Sequence, residues 1–169
     1  SIEYFKLEGY VTEHIILIRL VSSLYKHLIY FEDDLQRVFL MLERRFKALE
    51  PVLDQINKQA FIVQWQELTL ELSEIYAEYF EKKYELHRET SSINSQTVNF
   101  GLKSIKYYSS LLIFIEDEIK KQVEDERSIE DFVTVITIKL SIARLFGKLI
   151  IKEDKKLHQS YLVSSLKYY

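Results

Sequence analysis

From Tyr10 to Phe31, apolar residues return at steps of three and four, as Leu17, Val21, Leu24, Leu28 and Phe31. This is the spacing of one helical face and predicts a first helix with that stripe turned to the core. Asp33 and Asp34 open a second helix, acids being favoured at the positive end of the helix dipole. Its stripe is Leu35, Val38, Phe39, Leu42, Phe46 and Leu49. Pro51 is expected to stop it, because the ring removes a donor and biases the preceding residue away from helix. After the joint "EPVLDQINK" a longer third helix runs to about Arg88, with Phe61, Trp65, Leu68, Leu72, Ile75 and Tyr79 on one face. The polar "ETSSINSQ" breaks it. A fourth helix carries Val98, Leu102, Ile105, Tyr108, Leu112, Ile115 and Ile119 and ends in "EDERS". Ser128 is suited to cap the fifth, and Asp131 three positions on makes an approximate capping box. The fifth helix runs to about Ile151, and a sixth from about Asp154 to the last residue. No segment alternates with period two for long, so the class is all-α: about six helices in three hairpins. A closed bundle and a stack of helical pairs both satisfy this pattern.

A weak internal likeness favours the stack. "ELSEIYAEYF" in the third helix and "KLSIARLFGKL" in the fifth each place Leu-Ser ahead of a small residue, with an aromatic three positions beyond it. The pairs are Ala77 with Phe80 and Ala143 with Phe146. Tetratricopeptide first helices use this spacing so that the next helix nests against the small position. The expectation is a short tetratricopeptide-like α-solenoid. Gly147, one turn from Ala143, would extend a smooth strip for close helix packing, which would explain a glycine that costs a helix roughly 1 kcal/mol relative to alanine.

Composition agrees with long helices and few loops. The chain has 169 residues, 47% of them hydrophobic, with 12 Tyr and 10 Phe but only 3 Gly and 1 Pro. That length fits one helical-repeat domain over 1–169. The opening "SIEYF" reads as the middle of an element, so a C-terminal fragment of a longer protein is expected. A net charge of -3 supplies no basic surface for phosphate backbones, which argues against nucleic acid as a partner. Without cysteine there is no disulfide framework and no thiolate zinc site. No signal peptide is evident, and runs such as "IILIRLV" are too short to span a bilayer. The expected location is cytoplasmic.

Signs of catalysis are missing. His14, His27, His87 and His158 are scattered, none with a second histidine at ligand spacing, and no Glu-x-x-His pair supports a di-iron bundle. Neither a glycine-rich phosphate loop nor a nucleophile elbow occurs. Hence no enzyme activity, cofactor, metal or small-molecule substrate is expected. Trp65 reads as core, and the pairs Tyr107–Tyr108 and Tyr168–Tyr169 each read as one inward and one rim ring.

One feature asks for more. Glu67, Glu71, Glu74, Glu78, Glu81 and Glu85 follow steps of three and four along the third helix. Like charges so spaced destabilise a helix by about 0.2–0.5 kcal/mol per pair, and Lys82 and Lys83 relieve only one end. The stripe is either a solvated face or a track for a basic partner, which it would steer electrostatically. Protein binding is therefore the leading functional class.

Several stretches together resemble the kinesin-binding protein family: "LEGYVTEHI" from Leu7 to Ile15, "ERRFKALEP" from Glu43 to Pro51, "KYY" from Lys106 to Tyr108, and "ARLFGKLI" from Ala143. They occur in the family's order over almost the whole chain. The resemblance implies a tetratricopeptide-like solenoid that grips kinesin motor domains in its groove and keeps them from microtubules. It also implies contact loops, one ending at Glu8 and Gly9 and one from Glu50 to Lys58 that includes Asp54, Gln55 and Asn57. Beyond Leu49-Glu50-Pro51 the second loop, "VLDQINK", departs from the family pattern. A kinesin's microtubule-binding surface is basic, so Glu67, Glu71, Glu74 and Glu78 would meet it if they line the groove. The expected function is a non-enzymatic, cytoskeleton-associated binding module. The alternatives are a generic tetratricopeptide-like adaptor for other proteins and a closed helical domain that only supports a neighbour.

Overall fold

The computed structural model describes residues 11–87, 94–121, 129–149, 159–160, 163–164 and 166–168. Among them the chain is all-α, with five helices: α1 (Val11–Tyr30), α2 (Leu35–Gln55), α3 (Ile62–His87), α4 (Ser95–Lys121) and α5 (Ile129–Lys148). Ser128, and most of the expected sixth helix, lie outside the described residues; positions 159–160, 163–164 and 166 are helical. Two compact units are formed, Ser1–Ile75 and Tyr76–Tyr169, with the boundary inside α3.

In the first unit α1 packs on α2. Asp34 caps α2, its Oδ1 accepting the Gln36 N–H at 2.9 Å and so satisfying one of the free donors of the first turn. The core joins Ile15 and Ile18 of α1, Val38, Leu42, Phe46 and Leu49 of α2, and Leu68, Leu72 and Ile75 of α3. Leu42, Leu49, Leu68 and Leu72 are fully buried, and each stabilises the fold by about 1.5–3 kcal/mol relative to an exposed leucine. Thr69 and Ser73 are buried too, and their hydroxyls donate to the Trp65 and Leu70 carbonyls of their own helix, both at 2.6 Å.

Three expectations for this unit are corrected. The face of α1 that turns inward is Ile15, Ile18 and Ser22, while Leu24, Leu28 and Phe31 of the expected core stripe are exposed. Pro51 does not end α2. The helix continues to Gln55 because Val52, Leu53 and Ile56 are buried beyond the proline, and the Ile56 N–H reaches the Val52 carbonyl at 3.0 Å. Burial on that last turn outweighs the one helical bond that proline forfeits. Trp65 is only half-buried, with the Lys58 ammonium 3.7 Å from its ring centroid.

In the second unit α4 packs on α5. Asn94 caps α4, accepting the Thr97 N–H at 2.7 Å. Tyr76, Ala77, Phe80, Ile105, Tyr108, Ile142, Ala143 and Leu145 are all buried. Tyr108 turns inward while Tyr107 stacks on Tyr76 with centroids 5.8 Å apart. Tyr168 stacks on Phe146, and Tyr169 lies outside the described residues. Ala77 and Ala143 hold the buried positions that the repeat likeness assigns them, whereas Gly147 does not. It is exposed, and a Cβ there would meet nothing within 4 Å. The close approach is at Gly101 of α4, where a Cβ would lie 3.1 Å from both Leu149 Cδ2 and Phe80 Cδ2.

Candidate functional site

A groove of about 590 Å³ runs between α1 and the first half of α3, inside the first unit. Ile16, Arg19, Leu20, Ser23 and Lys26 form one wall; Glu67, Leu70, Glu71 and Glu74 form the other. Each wall is one helix face, since its members are spaced by three and four residues. Apolar Ile16, Leu20 and Leu70 are exposed in it beside both signs of charge.

The groove rests on a buried polar cluster. Arg45 of α2 is 3% exposed and sits among the apolar residues of that helix, with Leu42 and Leu49 on the same face. A guanidinium so placed requires acceptors from its neighbours. Its Nε donates to Ser22 Oγ of α1 at 3.0 Å, and its second terminal nitrogen faces Glu71 Oε1 of α3 at 3.5 Å. Ser22 passes the interaction on, its hydroxyl donating to the same Glu71 oxygen at 2.5 Å. Arg19 completes the cluster from the groove side, with Nε 3.5 Å from Glu71 Oε2 and a terminal nitrogen bonded to Glu67. Three helices are thus joined at one carboxylate.

This corrects the view of the glutamate stripe as relieved only by Lys82 and Lys83. Glu67 and Glu71 are neutralised by Arg19 and Arg45 from other helices, and Glu78 pairs with Lys82 at 3.7 Å. In the second unit Glu81 Oε1 is shut off from water between Arg144 Nε at 3.1 Å and Lys148 Nζ at 3.2 Å. Glu74 differs. It is exposed, it lines the groove, and among the described residues its side chain has no hydrogen bond or ion pair. Sequence reasoning passed over Arg45 and Ser22, although a charged and a hydroxyl residue on inward helix faces signal a buried polar contact.

The remaining candidates are not gathered at the groove. Glu8 and Gly9 lie outside the described residues. The expected loop from Glu50 to Lys58 is mostly helix: Glu50, Asp54 and Gln55 belong to the last turns of α2. Asn57 is structural, its Oδ1 accepting the Gln59 and Ala60 N–H groups at 3.0 and 3.2 Å, and Lys58 covers Trp65. Among the described residues no cluster of histidine and acidic side chains could hold a metal ion, and no helix is long and apolar enough to cross a membrane.

The family model described as KIF-1 binding protein C terminal matches residues 2–169. The chain belongs to this family. It is 33% identical over 172 residues to the KIF-binding protein of Gallus gallus, covering 99% of this chain and 28% of that protein. The Homo sapiens KIF-binding protein is 31% identical over 172 residues, covering 99% and 27%, and that of Dictyostelium discoideum is 30% identical over 151 residues, covering 85% and 24%. The chain therefore spans little more than a quarter of the length of the curated relatives it matches. No solved structure matches it. As in the sequence resemblance, the KIF-binding protein match runs through every described helix.

Proposed function

We propose that the chain is a non-enzymatic binding module for kinesin motor domains, acting in the cytoplasm at the cytoskeleton, and that it keeps the bound motor from its microtubule track. The observation that carries this reading is membership, over residues 2–169, in a family whose relatives are named KIF-binding protein. The α1/α3 groove supports it chemically. Its exposed Ile16, Leu20 and Leu70 supply contact area, and Glu74, whose side chain has no ion-pair partner among the described residues, supplies negative charge. A basic motor surface would complement that carboxylate. The cluster around Glu71 is committed to the fold, so the acidic contribution to binding narrows from a long stripe to Glu74 with part-exposed Glu67 at its side.

The test is a titration of a labelled kinesin motor domain with the chain and with its Glu74→Lys variant, paired with a microtubule co-sedimentation assay. Glu74 lies outside the buried cluster, so the variant keeps the fold. The chain should bind and lower the fraction of motor on microtubules, and Glu74→Lys should weaken binding about tenfold at low salt, with the gap narrowing as salt rises. Equal binding by both proteins would remove the groove from the interface. Binding by neither would overturn the kinesin reading for this chain.

A further inference from the structure

Packing among the described residues gives no reason for Gly147. A glycine inside a helix costs roughly 1 kcal/mol relative to alanine, yet this one is exposed on α5 and a Cβ there would meet nothing within 4 Å. The rest of its helix face supplies a context. Ile138, Ile142, Leu145 and Leu149 form the buried stripe. On the opposite side Phe132 is 46%, Val133 56%, Ile136 56% and Leu140 49% exposed. With Gly147 these four fill an arc of about 100°. The described C-terminal residues meet α5 elsewhere, Tyr168 stacking on Phe146, roughly 100° round the helix from the middle of this ridge. One border of the ridge carries Glu130 at the start of α5 and Arg144 and Lys148 near its end. Lys139, on the other border, is neutralised by Glu116 at 2.8 Å.

This ridge complements itself when reversed. Val133 and Gly147 stand seven positions to either side of Leu140. Two α5 helices laid antiparallel, with Leu140 facing Leu140 on a two-fold axis, therefore bring Val133 of each, with Phe132 beside it, over the bare backbone of Gly147 in the other. A hollow of about 200 Å³ lined by Thr137, Leu140, Ser141 and Arg144 gives the facing leucine room to seat. Glu130 comes to the end at which Arg144 and Lys148 of the other copy share the Glu81 carboxylate, at 3.1 and 3.2 Å, two bases to one acid. A parallel pair would instead set Gly147 against Gly147 and like charges together. In the antiparallel pair every contact occurs twice, as an isologous interface requires. We infer that the outward ridge of α5 is a self-association surface, occupied by the same ridge of a second copy. The glycine is then a notch for the partner's Val133 and Phe132, and a contact made by one helix face is reversible rather than obligate.

The experiment uses the chain itself. It has no cysteine, so Leu140→Cys places a single thiol on the two-fold axis, where oxidation joins the copies. Ile113→Cys, at a position of α4 that is 61% exposed, is the comparison. Leu140→Cys should give the linked dimer about tenfold faster than Ile113→Cys, and the rate should climb with protein concentration. Adding Gly147→Leu to Leu140→Cys fills the notch from a position with free space around it, so the circular dichroism should stay helical while linkage slows about tenfold. Adding Glu130→Lys instead should slow linkage about threefold, with the effect shrinking as salt rises. Equal linkage at positions 140 and 113 would overturn the surface. Undiminished linkage in the folded Gly147→Leu protein would overturn the antiparallel register. A Leu140→Cys thiol that resists maleimide at every concentration of the folded chain would overturn the second copy as occupant, because the chain would then cover its own ridge. No motor domain enters this test, so it stands apart from the kinesin reading.

Discussion

Removing the Glu71 carboxylate should destabilise the protein far more than removing Glu67, although both contact Arg19 on the same groove wall. Glu71→Ala leaves Arg45, only 3% exposed, without its counter-ion and Ser22 without its acceptor. At 3.5 Å, an effective dielectric of about 20 gives a gross attraction of about 5 kcal/mol between Arg45 and Glu71. Desolvating the two groups offsets most of this in the intact protein. The penalty appears when one partner is removed, because the remaining charge stays buried, and it amounts to about 3–5 kcal/mol. The Arg19–Glu67 pair has side chains 35% and 43% exposed, so water and salt screen it and Glu67→Ala should cost under about 1 kcal/mol. Urea unfolding followed by circular dichroism measures both. A double variant, Arg45→Met with Glu71→Leu, should recover most of the loss by replacing the pair with apolar volume. If Glu71→Ala costs no more than Glu67→Ala, or if the double variant is worse than the single one, the cluster does not join the three helices in the way described.

Three further outcomes are expected. Gly147→Ala should stabilise by about 0.5–1 kcal/mol, since the residue is exposed in a helix with room for a Cβ, whereas Gly101→Ala should gain nothing or lose stability because Phe80 and Leu149 must give way; thermal melts of the two variants decide this. Asp34→Ala, which removes the cap of α2, should cost about 1 kcal/mol in urea unfolding. Lys58→Ala should raise the acrylamide quenching of Trp65, the chain's single tryptophan, because the ammonium no longer covers its ring; unchanged quenching would show that the contact does not persist in solution.

Helix positions were legible because the three-and-four spacing of apolar residues and the acids Asp33 and Asp34 that open α2 are local signals, while the cap at Asn94 was hidden in the polar break. Which face turns inward was less legible. Periodicity locates a stripe, but α1 has two, and the longer one, through Leu24, Leu28 and Phe31, faces away from the unit. Pro51 misled for a related reason: its local preference is to end a helix, and burial of Val52, Leu53 and Ile56 overrides it. At the candidate site the residue types were visible and their partners were not. Glu67 and Glu71 are 48 and 52 positions from Arg19, and nothing in the local pattern indicates that they meet. Likewise Gly147 and Gly101 look alike in sequence and differ only in what surrounds them.

The contact of Ser22, Arg45 and Glu71 also constrains how this chain can diverge. Each residue comes from a different helix, and each loses its partner when another changes. A substitution that would be tolerated after its partners have changed is therefore harmful before they do. Drift through this part of the fold must pass along a few ordered paths, with arginine and glutamate exchanged together for apolar residues or kept together.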